Sequence, residues 1–159
     1  IMMAGLLDYQ EDYLNVPEIS TAGSEIMTFT ADRNMDGDTN DDYEDLTYRL
    51  VGTELKQMDN NSGIEEIFID NVINGRPDIN KPLFRYFREN GTDTPTNNDL
   101  INGKDLIIGH GYVDPILVNT ELADIRTVEI IIVVEEPAGM GGPVQRTYTT
   151  RVRCRNAGF

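Results

Sequence analysis

Cysteine, histidine, tryptophan and positive charge are all scarce in this chain of 159 residues. A single cysteine, Cys154, excludes an intrachain disulfide and a cysteine-based zinc site, and it reads as a small apolar side chain in a strand. One imidazole, His110, builds neither a zinc centre nor a Ser-His-Asp triad. Flanked by Gly109 and Gly111, it reads as a loop histidine. Lys and Arg number 13 against 28 Asp and Glu, a net charge of −15 and a pI near 4.2. Such a surface repels nucleic acid and anionic lipid and draws in cations, so no nucleic-acid partner is expected. No stretch approaches the roughly 20 apolar residues of a membrane span. The chain opens on Ile1 rather than Met, which reads as a processed or truncated product.

What is present is enough for one domain over 1–159, long enough to bury a core. Hydrophobic residues at 39%, with seven Tyr and five Phe, argue against global disorder. Ile1-Met2-Met3-Ala4 before Gly5 looks like the last turn of a helix with a left-handed cap. Leu6 to Ser20 lacks a clean period and reads as a wrapping loop. The first strand is Glu25 to Ala31 and its partner Asp45 to Val51. Gly52 then turns the chain into a third strand, Thr53 to Met58.

Asp59-Asn60-Asn61-Ser62-Gly63 is a strong turn signal, and Ile64 to Ile73 fits a strand running into a short helix. Leu83 to Arg88 alternates bulky and basic residues, as a strand with one buried face would. Residues 92–121 read as a long irregular excursion, either functional or plain surface loop. Ile125 to Glu135 is a nearly continuous apolar run suited to a strand covered on both faces. Thr147 to Arg155 closes the fold, with Tyr148, Thr150, Val152 and Cys154 on one face. The other face carries Thr149, Arg151, Arg153 and Arg155, a basic stripe matched to Glu129, Glu135 or a neighbouring subunit. The fold expected is α+β, mostly β, with antiparallel sheets.

Between the first two strands runs Asp32-Arg33-Asn34-Met35-Asp36-Gly37-Asp38-Thr39-Asn40-Asp41-Asp42-Tyr43-Glu44. Two carboxylates about 4 Å apart repel by roughly 4 kcal/mol at an intermediate dielectric, so a compact loop of this composition needs a neutralising partner. Asp32, Asn34 and Asp36 place oxygen ligands on alternate residues and Gly37 follows at the turn, as at the start of the calcium-loop consensus. The twelfth position, a bidentate Glu in helix-loop-helix sites, is Tyr43 here, flanked by Asp42 and Glu44. The ligand set expected for Ca2+ is therefore Asp32, Asn34, Asp36 and Asp38, completed by Glu44 in preference to Asp42. A solvated acidic turn is the alternative, since Asp, Asn and Gly also build turns. Thr, Tyr, Phe and Ile in the flanks favour strands over helices.

Several segments, in order, resemble the PilW-like minor pilins of type IV pili, related to the J-type minor pseudopilins of type II secretion. Ile1-Met2-Met3-Ala4-Gly5 resembles the R-x-A-G exit from the pilin N-terminal helix. Glu25 to Asp32 and Asp45 to Leu50 resemble the two sides of the family's ITFxxDxNGDGDxxDxxExITYxL hairpin, with Met35 where the family often has Gly. Asp70-Asn71-Val72 with Phe84-Arg85-Tyr86-Phe87 is similar to its AENVxxLxFxY step. Ala123 to Ile130, closed by Thr150 to Asn156, resembles its last two strands and tail.

The resemblance implies a pilin-like globular head behind a truncated N-terminal helix, its only link to the membrane. It implies a structural subunit, not an enzyme, that primes or caps a pilus or pseudopilus. Its partners would be other major and minor pilins or pseudopilins. Its location would be the inner membrane and periplasm, then the filament at the cell surface. A calcium-dependent adhesin or surface-binding domain, using 92–121, is the other function expected. For an enzyme, no nucleophile, base and orienter spacing stands out.

Overall fold

The computed structural model describes residues 18–88, 122, 125–137 and 141–154. The expected helix end at Ile1 to Gly5 and the excursion 92–121 lie outside the described residues. Eight strands form two antiparallel sheets, so the fold is mostly β. Strands β1 (Glu18–Ala22), β2 (Ile26–Thr30), β3 (Asp45–Val51), β4 (Glu54–Asp59) and β5 (Ile64–Ile69) form a five-stranded meander in that order. Strands β6 (Phe84–Phe87), β7 (Thr127–Glu136) and β8 (Val144–Arg153) form a three-stranded sheet.

The expected hairpin is the centre of the larger sheet. Met27 opposes Tyr48 and Phe29 opposes Leu46, so rings and branched chains stack across the ladder. Phe29 lies parallel to Tyr48, with ring centroids 6.1 Å apart, and Phe68 meets Tyr48 edge-on at 5.3 Å. Gly52 turns β3 into β4 with φ +63°, a conformation that suits a residue without Cβ.

Two expectations are corrected. Glu18, Ile19 and Ser20 are not part of a loop but the start of β1, which pairs with β2 from Glu18–Thr30 to Ala22–Met27. A five-residue edge strand of mixed polarity leaves too short a period to read locally. Ile64 to Ile73 contains no helix: after β5 the chain turns at Asp70–Asn71, the latter at φ +57°, and Val72 bridges Val134 of β7.

That bridge shows how β7 is covered. Its first half pairs with β6, from Phe87–Thr127 to Phe84–Ile130. Along its second half residues 71–74 take over, with Ile73 N donating to Val133 O and Glu135 N to Asn71 O. Asn74, fully buried, closes the junction: its Nδ2 donates to Ile131 O at 2.7 Å and its Oδ1 accepts from Val133 N at 2.8 Å. The side-chain amide thus stands in for a strand residue where two segments meet, leaving no β7 backbone group there unpaired.

Strand β7 buries Val128 towards the larger sheet and Glu129 and Val133 on its other face, while Ile130, Ile131, Ile132 and Val134 are half-buried, so the apolar run is covered only in part. The sheets are tied where Leu83 N and Phe84 N donate to Ser24 O and Tyr86 Oη donates to Gly23 O. Met27, Leu55, Leu83, Phe84, Val128 and Cys154 belong to the shared core.

Candidate metal site

The acidic loop is built by its own side chains. Asp32, just past β2, accepts Met35 N and Asp36 N on Oδ1 and Gly37 N on Oδ2. Asn34 Oδ1 accepts Asp36 N, Asp36 Oδ1 accepts Asp38 N and Asp38 Oδ1 accepts Asn40 N. Asn34, Asp36 and Asp38 therefore each curl the backbone two residues ahead, while Asp32 gathers the amides three to five residues on. Met35 at φ +64° and Gly37 at φ +97° supply the left-handed bends. The left-handed φ at Met35 is a conformation that favours glycine.

Glu44 closes the loop from the β3 side. Its backbone O accepts Ala31 N at 2.8 Å and its N donates to Asp41 O. Its side chain is turned inward, 2% exposed, and Oε1 accepts Arg33 N at 2.8 Å and Asn34 N at 3.2 Å. Oε2 is buried with no hydrogen-bond partner. A buried carboxylate oxygen without a donor is costly and rare. Tyr43, at φ +66°, is the bend that swings Glu44 inward.

Sequence reasoning passed over Asp41. Asn34 Nδ2 donates at once to Asp36 Oδ2 and Asp41 Oδ2, so the amide's positive edge lies between two carboxylates. The charge on Asp36 is the main reason the Asp41 carboxyl is pushed above its ordinary pKa, with burial and the charges of Glu44 and Asp38 adding to it. Asp41 lies five residues beyond Asp36, off the alternation, so no spacing rule singles it out. Asp42 is exposed and takes no part in this network among the described residues.

The β4–β5 turn backs the loop. Asn61 Nδ2 donates to Thr39 O and Asp41 O, fixing the far side of the loop to the sheet. Asp59, buried at 2% exposure, accepts Ser62 Oγ and Asn61 N. The Ser62 hydroxyl, above all, holds the Asp59 carboxyl below its usual range.

Asp32, Asn34, Asp36, Asp38, Asp41 and Glu44 are thus gathered in one loop, but not with their free oxygens on one point. Among the described residues no three acidic, His or Cys side chains converge closely enough to hold a metal ion as they stand. The donors that could serve are carboxylate, amide and carbonyl oxygens, the hard ligands calcium takes.

A second feature lies between the sheets: an apolar groove of about 360 Å³ lined by residues of both, including Met27, Phe29, Tyr48, Val128, Ile130 and Val152. Cys154 also lines it, and burial pushes its thiol pKa up, which suits an inert core thiol. The expected basic stripe is matched as follows. Arg151 Nε donates to Glu129 Oε1 at 2.8 Å, Glu135 pairs with Arg76 instead, and Arg146 pairs with Glu136.

No known protein family, no curated protein and no solved structure matches the chain in comparison.

Proposed function

We propose that the chain is the head of a minor pilin or pseudopilin that primes or caps a filament, with a structural Ca2+ clamping its central hairpin. The observation that carries the metal half is Glu44 Oε2, a buried oxygen without a donor, at the base of a loop dense in carboxylates. The ligands are Asp32, Asn34, Asp36, Asp38 and Glu44, with Asp41 joining them. Turning the Asn34 amide over would present Oδ1 in place of Nδ2 between Asp36 and Asp41. One rotation would thereby replace a donor by a third ligand oxygen. Calcium tolerates the irregular geometry such a loop offers.

The filament half rests on the ordered family-like segments and on the apolar groove. A pilin head needs an apolar face to receive a helix, and the groove between the sheets is one. On this reading the partners are other pilins or pseudopilins. The subunit waits in the inner membrane and periplasm until it is built into the filament.

The deciding experiment is a thermal melt in millimolar calcium, in magnesium and in excess chelator. Because the ion binds the folded form, free calcium at about 100 times its dissociation constant adds roughly 2.7 kcal/mol. A calcium-specific rise of several degrees is expected; superimposable melts would sink the metal site. The filament role is tested separately, by titrating this head against candidate pilin heads and by scoring filament assembly after the subunit is removed. Assembly unchanged without it would overturn that role.

A further inference from the structure

Four strands have one neighbour among the described residues, β1 and β5 in the meander and β6 and β8 in the small sheet, and of these β5 and β8 are the exposed ones. Neither edge strand is short or contains proline; β5 has one register shift, beside Phe68, and both carry charged side chains. Strand β8 runs ten residues and is exposed throughout. Strand β5 is exposed over all but its last residue. Large apolar side chains sit on both: Ile64 is 57% and Phe68 54% exposed on β5, Tyr148 53% and Val152 50% on β8.

The charges are opposite. Strand β8 carries Arg146, Arg151 and Arg153 and no carboxylate, on a protein whose net charge is −15. Strand β5 carries Glu65 and Glu66 and no cation. Pairing β8 with another β8 sets arginines against arginines, and pairing β5 with β5 sets glutamates against glutamates. The cross-pairing opposes unlike charges, in addition to the pairs that Arg151 and Arg146 make with Glu129 and Glu136, and Glu65 with Arg49 and Lys56, inside the chain.

Backbone polarity narrows the register. Cys154 N donates to Arg126 O, so by alternation Tyr148, Thr150 and Val152 turn their backbone groups towards β7. Thr147, Thr149, Arg151 and Arg153 then turn theirs outward. On the other sheet Asn60 N donates to Asp45 O, so residues 55, 57 and 59 of β4 face β5, and their partners Glu66 and Ile64 face inward. The outward backbone groups of β5 belong to Glu65 and Ile67. An antiparallel pairing with Glu65 opposite Arg151 places Ile67 opposite Thr149, matching outward groups to outward groups. It also sets Ile64 against Val152 and Phe68 near Tyr148, extending the apolar groove face from one molecule to the next.

We infer that β5 of one copy adds antiparallel to β8 of a second copy, joining the meander of one molecule to the small sheet of the next. The contact is head-to-tail, and each added copy still offers one free edge, so association is open-ended. It requires neither the metal site nor the filament reading.

The test is sedimentation of the protein over a concentration series, in calcium and in chelator, on the parent and three variants. Thr149→Pro and Ile67→Pro each delete an outward N–H on one edge, a place where edge strands accept proline. The parent is expected to grow in mass with concentration. Either proline variant alone should need about tenfold more protein or remain a single copy. Mixed one to one, they should form pairs and nothing larger, since each retains the edge the other lacks.

Ile64→Lys, at a side chain already exposed, sets a charge against the apolar Val152 of the next copy without touching the backbone. It should weaken association likewise, and it decides the matter if circular dichroism shows a proline variant unfolded. A parent that remains a single copy at every concentration overturns the inference and leaves the calcium melts readable. Growth of both folded proline variants like the parent overturns it too, as does association of one of them alone, which would mark a like-edge contact.

Discussion

Glu129 and Glu44 are both buried carboxylates, 4% and 2% exposed, and they are held in opposite ways. Glu129 sits between two guanidinium groups, with Arg85 Nη1 on Oε2 and Arg151 Nε on Oε1, each at 2.8 Å. Both arginines also lie over the Phe87 ring, at 5.5 and 5.3 Å from its centroid. Each Glu129 oxygen has a cationic donor from a neighbouring strand. Glu44 has two backbone amides on one oxygen and nothing on the other, among carboxylates that repel it. The comparison teaches that burial of an acid does not reveal its role; the partner left over does. A carboxylate with a complete protein shell holds strands together, and one with an open oxygen beside further acids is where the proposed ion would sit.

The widest gap between the two should appear on truncation. Glu129→Ala leaves two arginines without their common anion, and unfolding in urea should show a loss of about 3–5 kcal/mol, equal with calcium and with chelator. A loss that depended on calcium would collapse the distinction.

Glu44→Gln should behave in the reverse manner. It keeps an acceptor for Arg33 N and Asn34 N but removes the charge, so the parent's calcium-dependent gain, roughly 2.7 kcal/mol at 100-fold saturation, should vanish. In chelator the variant should match or exceed the parent, because one of the repelling charges is gone. Destabilisation in chelator alone would place Glu44 with Glu129 as a purely structural acid.

Asp59 sharpens the comparison from between the extremes, being buried yet satisfied by neutral donors. Its carboxyl is held below the ordinary range, first by the Ser62 hydroxyl. The stability this supplies is fully present above the unfolded pKa of about 3.9 and is lost as pH falls through the lowered folded value. Melts of Ser62→Ala and parent in chelator should therefore differ at neutral pH and converge in acid. Curves separated by the same margin throughout would deny Asp59 its part.

The smallest effect expected is at Met35, which holds φ +64° without need of its side chain, 67% exposed. Met35→Gly relieves the left-handed strain and should raise stability by about 1 kcal/mol in urea unfolding. No gain, or a loss, would mean that the loop conformation at Met35 carries no strain.

Much of this was legible in the chain. Strand β3 lies where Thr47, Tyr48 and their neighbours placed it, and the turns at Gly52 and at Asp59 to Gly63 follow from local backbone preference. The loop's alternation was legible too, because Asn34, Asp36 and Asp38 act on backbone two residues away and Asp32 on backbone three to five away. The Arg151–Glu129 pair could be anticipated from facing strand positions, whereas Arg85 as the second partner could not. Asn74 gave no signal, since its worth lies in filling a junction with Ile131 and Val133, far along the chain. Asp41 was hidden for the same reason, as one acid among many until the fold set it beside Asp36.

By itself, then, the sequence determined the elements whose causes are local: period-two strands, turns at Gly and Asn, a loop curled by its own oxygens, and an acidity that draws cations. Only the tertiary structure decided which buried acid is satisfied and which is left open, which segments share β7, and which strands end as edges. Those outcomes depend on groups dozens of residues apart meeting at hydrogen-bond distance, and no periodicity along the chain encodes that meeting.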